Sequence, residues 1–548
     1  MKKVLSLLIS LLLLCGLNSY ACTNVIVTRG ASADGSNMIT YAADSHWLYG
    51  ELYFHKAADW RPGTMLGIND WDTGKYMGDI PQVGHTYQTM GNMNEYQLII
   101  AETTWGGRES QVNKAGIMDY GSLIYVTLQR ARTAREAINC IVELANTYGY
   151  PSEGETFSIA DTQEAWIMEL VGKGEEKGIV WVARRIPDGY ICAHANQARI
   201  GTFPLNDPEN CLYASDVITF ARENGWFDGK DEEFNFRHVY NPMDFGAARG
   251  CEARAWSAFN TLCDGKFTYF ADGEEITENA KNYLSHVMGY DLEHEMPLFV
   301  KPSEKIGVKE LADVMRDHYE GTPMDMRVDA GAGGNACPYR WRPMDFEVDG
   351  KTYVNERAIA TQQTGFWFVA QSRGYLPRQV GALIWFGCDD AATSYLTPCY
   401  VNSTCVPECF REGNGSLVKY SETSAFWACN RVAQACYKME PVVRAEIDNW
   451  ENYQIDERVP AMDKELTSLL FKKKEKRAIK KMTEFSCDTA QEIFDKWVEL
   501  DKTLLVRFID GNVKTIKEDG TFDLTQPGYT ERFKRAIVKD NGDILEVR

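Results

Sequence analysis

The chain has 548 residues, 44% of them hydrophobic, and a formal net charge of −20. That length suits one large domain or two ordinary ones, each with a sizeable core. The acidic balance excludes nucleic acid and anionic membranes as partners, and no stretch beyond the amino end is long and apolar enough for a membrane span.

Lys2 and Lys3 precede Val4 to Leu14, an apolar run of eleven residues, and a more polar stretch ends with Ser19 and Ala21. This is the layout of a signal peptide over residues 1–21, with small residues three and one before the cut. The chain is therefore expected to be exported, to the periplasm or the cell exterior, with Cys22 as its new first residue. Lipid attachment at Cys22 is the alternative, although Ser19 stands where a lipid-attachment signal wants Leu.

Thr23 to Thr28 and Met38 to Ala42 read as strands of a hairpin turning at Asp34-Gly35, which brings Cys22 and Asp44 to one end. Gln97 to Thr104 is a further strand, and Leu123 to Gln129 belongs to a helix. Thr133-Ala134-Arg135-Glu136 is a capping box that opens a helix with Ile138, Ile141, Ala145 and Tyr148 on one face, closed by Gly149. Short strands follow at Phe157–Ala160, Ala165–Leu170, Ile179–Arg185 and Tyr190–Ala193, read as a meander. Asp329 to Asn335 is a glycine-rich loop, and Gly381 to Phe386 a buried strand. From about Arg444 the tail reads as helical, with Lys472 to Arg477 as a solvated helix face. Strands and helices in this order predict an α+β protein of antiparallel sheets with helices packed outside them.

Fifteen cysteines are present, of which Cys15 leaves with the leader. Cys140 and Cys192 sit in apolar runs and read as packing residues. Cys399, Cys405 and Cys409 are close enough for a local bridge, though spacing does not fix connectivity. Cys22 differs from all of these. An α-amine has a reference pKa of about 7.7–8.0 and a thiol about 8.5, so a terminal cysteine carries both a nucleophile and a proton acceptor. The chemistry exists only after the preceding peptide bond is cut.

Cys22-Thr23-Asn24-Val25-Ile26-Val27, Ala33-Asp34-Gly35-Ser36 and Asp44-Ser45 resemble the start of the cysteine dipeptidases among the N-terminal nucleophile (Ntn) hydrolases. Bile salt hydrolases and penicillin V acylases are more distant relatives of that family. The likeness continues through Met93-Asn94-Glu95-Tyr96, Ala101-Glu102-Thr103-Thr104 and Arg185-Ile186-Pro187-Asp188-Gly189-Tyr190. It extends to Ala195-Asn196-Gln197-Ala198-Arg199-Ile200 and Tyr339-Arg340-Trp341-Arg342-Pro343, covering roughly residues 22–400.

The resemblance implies a four-layer αββα sandwich over residues 22–443, followed by a helical extension over 444–548. It implies Cys22 as nucleophile with its amine as base, Asp44 holding that amine, Asn94 and Asn196 as oxyanion donors, and Arg254 as a cation near the thiol. Members often carry Arg at the position of Tyr41, so this chain departs from the pattern there. A small peptide would be the substrate, no cofactor would be needed, and multimers occur in the family. An N-acyl amide hydrolase and a non-catalytic surface lipoprotein are the competing readings. The eight histidines are scattered, with no His-Glu-x-x-His, Gly-x-Ser-x-Gly, Cys-x-x-Cys or phosphate loop, which leaves no metal or nucleotide motif.

Overall fold

The computed structural model describes residues 22–271, 273–341, 343–436, 440–508 and 511–547. The leader read over 1–21 lies outside the described residues. Two large antiparallel sheets dominate. The first has six strands in the order Ile191–His194, Asn24–Val27, Asn37–Asp44, Thr364–Ser372, Ala382–Cys388 and Thr397–Tyr400. The second has eight, running from Cys211–Tyr213 through Glu176–Arg185, Ala165–Lys173, Gly154–Ala160 and Ile99–Trp105 to three short strands.

Both faces of the first sheet are covered, so its strands are buried along their whole length. All eight residues of Asn37–Asp44 are buried. Strand alternation sends Ile26, Ile39, Tyr41 and Ala43 to one side, where they pack with Ile99, Ala101, Ala165 and Ile167 of the second sheet. Val25, Val27, Met38 and Ala42 face the other side and pack with Trp256, Phe259, Leu311 and Met315 from two helices. The second sheet turns Ile100, Phe157, Ile159 and Trp166 outward onto Leu123, Ile138 and Ile141, from the helices Tyr120–Leu128 and Ala134–Tyr148. Antiparallel sheets with helices on their outer faces bear out the α+β expectation.

The hairpin forms with Ile26 opposite Ile39 and Val27 opposite Met38, and a further bridge pairs Thr23 with Ala42. Thr133 caps its helix by accepting from the Glu136 N–H, and Gly149 ends it at φ +81°, a conformation that suits glycine. Three expectations need correction. Tyr190–Ala193 is no fourth strand of the meander, because Ile191–His194 leaves it to pair with Asn24–Val27. The tail is not helical throughout, since Val513–Ile516 and Phe522–Thr525 form a hairpin. Lys472 to Arg477 is solvent-facing but straddles a break, where Lys473 takes φ +56° between two helices. The glycine-rich stretch winds into a short 3₁₀ turn at Ala330–Asn335. Cys399, Cys405 and Cys409 carry free thiols.

The later helices share the cores of the sheets. Trp450 and Trp497 join the cluster between the sheets, and Val459, Leu466 and Phe485 join the one behind the first sheet. Arg316 pairs with Glu451 at 2.6 Å, with both side chains no more than 5% exposed. The boundary expected between 443 and 444 falls inside the helix Glu440–Tyr453. Among the described residues, no helix is long and apolar enough to cross a membrane.

His194 ties the two sheets together. It lies beside Asn24 in the first sheet, and its ring nitrogens meet Thr103 Oγ1 and Ser158 Oγ of the second, each at 2.7 Å. Burial, helped by Arg199, pushes its pKa down to about 3. An unfolded histidine takes up a proton near pH 6.5, whereas this one stays neutral far below that. Stability is therefore lost as pH falls through that window, by at most about 1.4 kcal/mol per pH unit. Urea unfolding at pH 7 and pH 5 should show His194→Gln with a shallower pH dependence than the wild type. Identical slopes would contradict the assignment.

Candidate active site

Cys22 stands at the mouth of the first strand. The Thr23–Ala42 bridge sets it opposite Ala43, next to Asp44, and it is 4% exposed. Its Sγ lies 3.5 Å from Glu102 Oε1 and 3.7 Å from the Tyr41 hydroxyl, which itself donates to Glu102. These groups line a cleft of about 460 Å³, its mouth included, between the two sheets. Aromatic rings form one wall, with Trp71 stacked on Tyr125 at 4.6 Å between ring centres.

The electrostatics oppose ionisation of the thiol. Burial first, then the negative charges of Glu102 and Asp44, push the Cys22 pKa well above its ordinary value. The Asp44 N–H and the Tyr41 hydroxyl work the other way without overcoming this. A sulfur placed so reacts through a base that takes its proton as it attacks.

Asp44 is fully buried and held from two sides. Arg357 Nη2 donates to its Oδ2 at 2.6 Å, and the Thr364 hydroxyl donates to its Oδ1 at 2.6 Å. Burial raises its pKa, while Arg357, Thr364 and Arg254 pull it down. Arg254 is also fully buried. It follows a π-helical turn at Ala248–Glu252, a local widening often found at functional positions. One guanidinium nitrogen donates to the Cys22 carbonyl at 2.6 Å and to Thr23 Oγ1 at 2.8 Å, and the other donates to Asn196 Oδ1 at 2.8 Å. Asn196 in turn donates to the Thr104 carbonyl at 2.5 Å. The guanidinium therefore fixes the Cys22 carbonyl and the Thr23 side chain, not the sulfur itself.

The structure thus gathers Cys22, Asp44, Asn196 and Arg254 into one bonded neighbourhood, with Cys22 and Asp44 in the cleft wall. Asn94 is not brought there. Its Nδ2 donates to the Leu128 and Ala131 carbonyls, and its Oδ1 accepts from the Tyr96 and Leu98 N–H groups. Four backbone bonds occupy the amide as a loop clamp, and Asn92 lines the cleft instead. Sequence reading gave no role to Glu102, Asn92 or Arg357, and marked Tyr41 only as a departure from the family pattern. Glu102 left a signal, an acid following the apolar Ile99-Ile100-Ala101 of a buried strand. Arg357 left none, because it reaches Asp44 from 313 positions away.

The model of peptidase family C69 matches residues 63–452. The chain belongs to that family, the cysteine dipeptidases. The match to family C69 starts after Cys22, Tyr41 and Asp44, so those positions rest on the structure. A probable dipeptidase of Latilactobacillus sakei is 23% identical over 72% of this chain and 76% of its own length. A probable dipeptidase of Salmonella dublin is 26% identical over 59% and 72% respectively. Dipeptidase A of Lactobacillus helveticus is 21% identical over 64% and 68%.

Removing one partner from a buried ion pair leaves an uncompensated charge and costs about 3–5 kcal/mol. Arg357→Met should destabilise this C69 peptidase by that order in denaturant unfolding. A change within experimental error would mean that Asp44 does not depend on Arg357.

Proposed function

We propose that the chain is an exported, thiol-dependent dipeptidase that works through Cys22 as its amino-terminal residue, on the scaffold of an Ntn hydrolase. The observation that carries this reading is the position of Cys22. It follows a signal-type leader directly, and its sulfur opens into a cleft between two antiparallel sheets. Membership of family C69 and the dipeptidase names of its relatives support the substrate class.

In this reading, leader cleavage frees the α-amine of Cys22. A buried thiol with a raised pKa needs a proton acceptor at hand, and an amine on the same residue supplies one without histidine or metal. As sulfur attacks the scissile carbonyl, the thiol proton passes to the amine and a C–S bond forms. The tetrahedral oxyanion is met by an N–H of Asn196, whose amide is aligned by Arg254 and Thr104. Collapse breaks the C–N bond, the ammonium returns its proton to the leaving amine, and a thioester remains. Water then attacks the thioester, again with the amine as base, releasing the acid product and the thiol. Asp44, fixed by Arg357 and Thr364, lies next to the start of the chain and orients the amine.

Cys22→Ser should lower turnover of dipeptides by at least about 100-fold while leaving the fold intact. Purified enzyme should hydrolyse free dipeptides in preference to N-acyl amides. Wild-type turnover in the serine variant would remove Cys22 as the nucleophile. Activity confined to N-acyl amides would make the protein an acylase.

A further inference from the structure

Three carboxylates, Asp44, Asp72 and Glu102, line the cleft, and among the described residues no Lys, Arg or His lines it with them. Asp44 is matched by Arg357, and Asp72 has one oxygen taken by the Tyr120 hydroxyl at 2.8 Å. Glu102 is different. It is 1% exposed, its hydrogen-bond partners are Tyr41, Thr104, Cys22 and Glu155, and among the described residues no salt bridge reaches it. Behind it, burial and the charge of Glu102 push the Glu155 pKa well up, and Thr104 Oγ1 lies within hydrogen-bond distance of both carboxyl groups. A second group points the same way. Asn92 lines the cleft at 1% exposure and donates Nδ2 to the Ile100 carbonyl at 2.9 Å, while its Oδ1 has no hydrogen-bond partner. A buried carboxylate and a buried unpaired acceptor, on two residues that line one cleft, call for a ligand that carries both charge and N–H donors.

Covalent geometry says which ligand. In a peptide the α-nitrogen is about 2.5 Å from the carbonyl carbon of its own residue, from bonds of about 1.46 and 1.52 Å at about 111°. An attacking sulfur sits about 3–3.5 Å from that carbon. A carboxylate oxygen 3.5 Å from Cys22 Sγ is therefore within reach of the amino group on the residue being cleaved. Each additional residue moves the amino terminus about 3.3–3.6 Å further away.

We propose that Glu102, with Asn92 Oδ1, receives the free α-ammonium group of the substrate and so confines cleavage to the first peptide bond. This rests on the thiol-peptidase reading of the same cleft. An N-acylated substrate brings no positive charge to Glu102 and leaves it buried and unpaired. Docking of an ammonium group also offsets the negative charge that opposes ionisation of Cys22, so recognition and activation occur together.

The test uses the mature enzyme with a free dipeptide, its N-acetyl analogue and a free tripeptide. Wild type should favour the dipeptide over the N-acetyl analogue by at least about 100-fold and should release only the amino-terminal residue from the tripeptide. Glu102→Gln should raise KM for the dipeptide by about 30-fold or more, with a smaller effect on kcat, and should lose most of the discrimination. Glu102→Asp should restore part of it. Alkylation of Cys22 should be no slower in Glu102→Gln, which separates recognition from damage to the nucleophile. Calorimetric binding of the dipeptide to Cys22→Ala, with and without Glu102→Gln, reads recognition without turnover. If binding depends on Glu102 while turnover does not depend on Cys22, only the thiol reading fails. Unchanged discrimination in Glu102→Gln, or equal losses on all substrates, would overturn the proposal.

Discussion

A thiol buried beside carboxylates keeps its proton, and Cys22 is such a thiol. Desolvation, Glu102 and Asp44 all hold the sulfur neutral. The usual way to activate a cysteine, a cation close to the sulfur, is not how the cleft is built. Its two nearest guanidinium groups are spent elsewhere, Arg357 on the Asp44 carboxylate and Arg254 on the Cys22 carbonyl, Thr23 and Asn196. What remains is a nucleophile that is well positioned and poorly ionised. Such a group depends on a base delivered to the same place, which is what a free amino terminus on the same residue would provide.

The rest of the fold serves that placement. The hairpin register sets Cys22 next to the end of the neighbouring strand, and His194 stitches that sheet to the one that carries Glu102. Arg254 arrives on a helix that follows a π-turn and reaches Cys22 and Thr23, just ahead of the strand. Arg357 crosses from a distant loop to complete Asp44. The helical tail is part of the same body, with Trp450 and Trp497 in the core between the sheets.

Local physics was the readable part of the sequence. The Asp-Gly turn, the Thr133 cap and the helical spacing of Ile138, Ile141 and Ala145 are decided within a few positions, and the structure shows all three. Long-range pairings were not readable. Ile191–His194 looks like a meander strand because its neighbours in sequence are meander strands, yet its partner lies at the start of the chain. The site divides along the same line. Cys22 and Asp44 sit on one hairpin, and their proximity followed from its turn. Asn94 is not brought to the cleft because four backbone groups hold its amide, while Asn92 lines the cleft. Tyr41 is explained only by Glu102 on the other sheet, which accepts from its hydroxyl.

Family C69 membership establishes a peptidase, whereas the catalytic route depends on where the mature polypeptide starts. Intact-mass analysis of the exported protein, combined with sequencing from its amino end, addresses that directly. The account predicts a chain that begins with Cys22 carrying an unmodified amine. A first residue other than Cys22, or an acyl group on its nitrogen, would deny the thiol its proton acceptor and contradict the account.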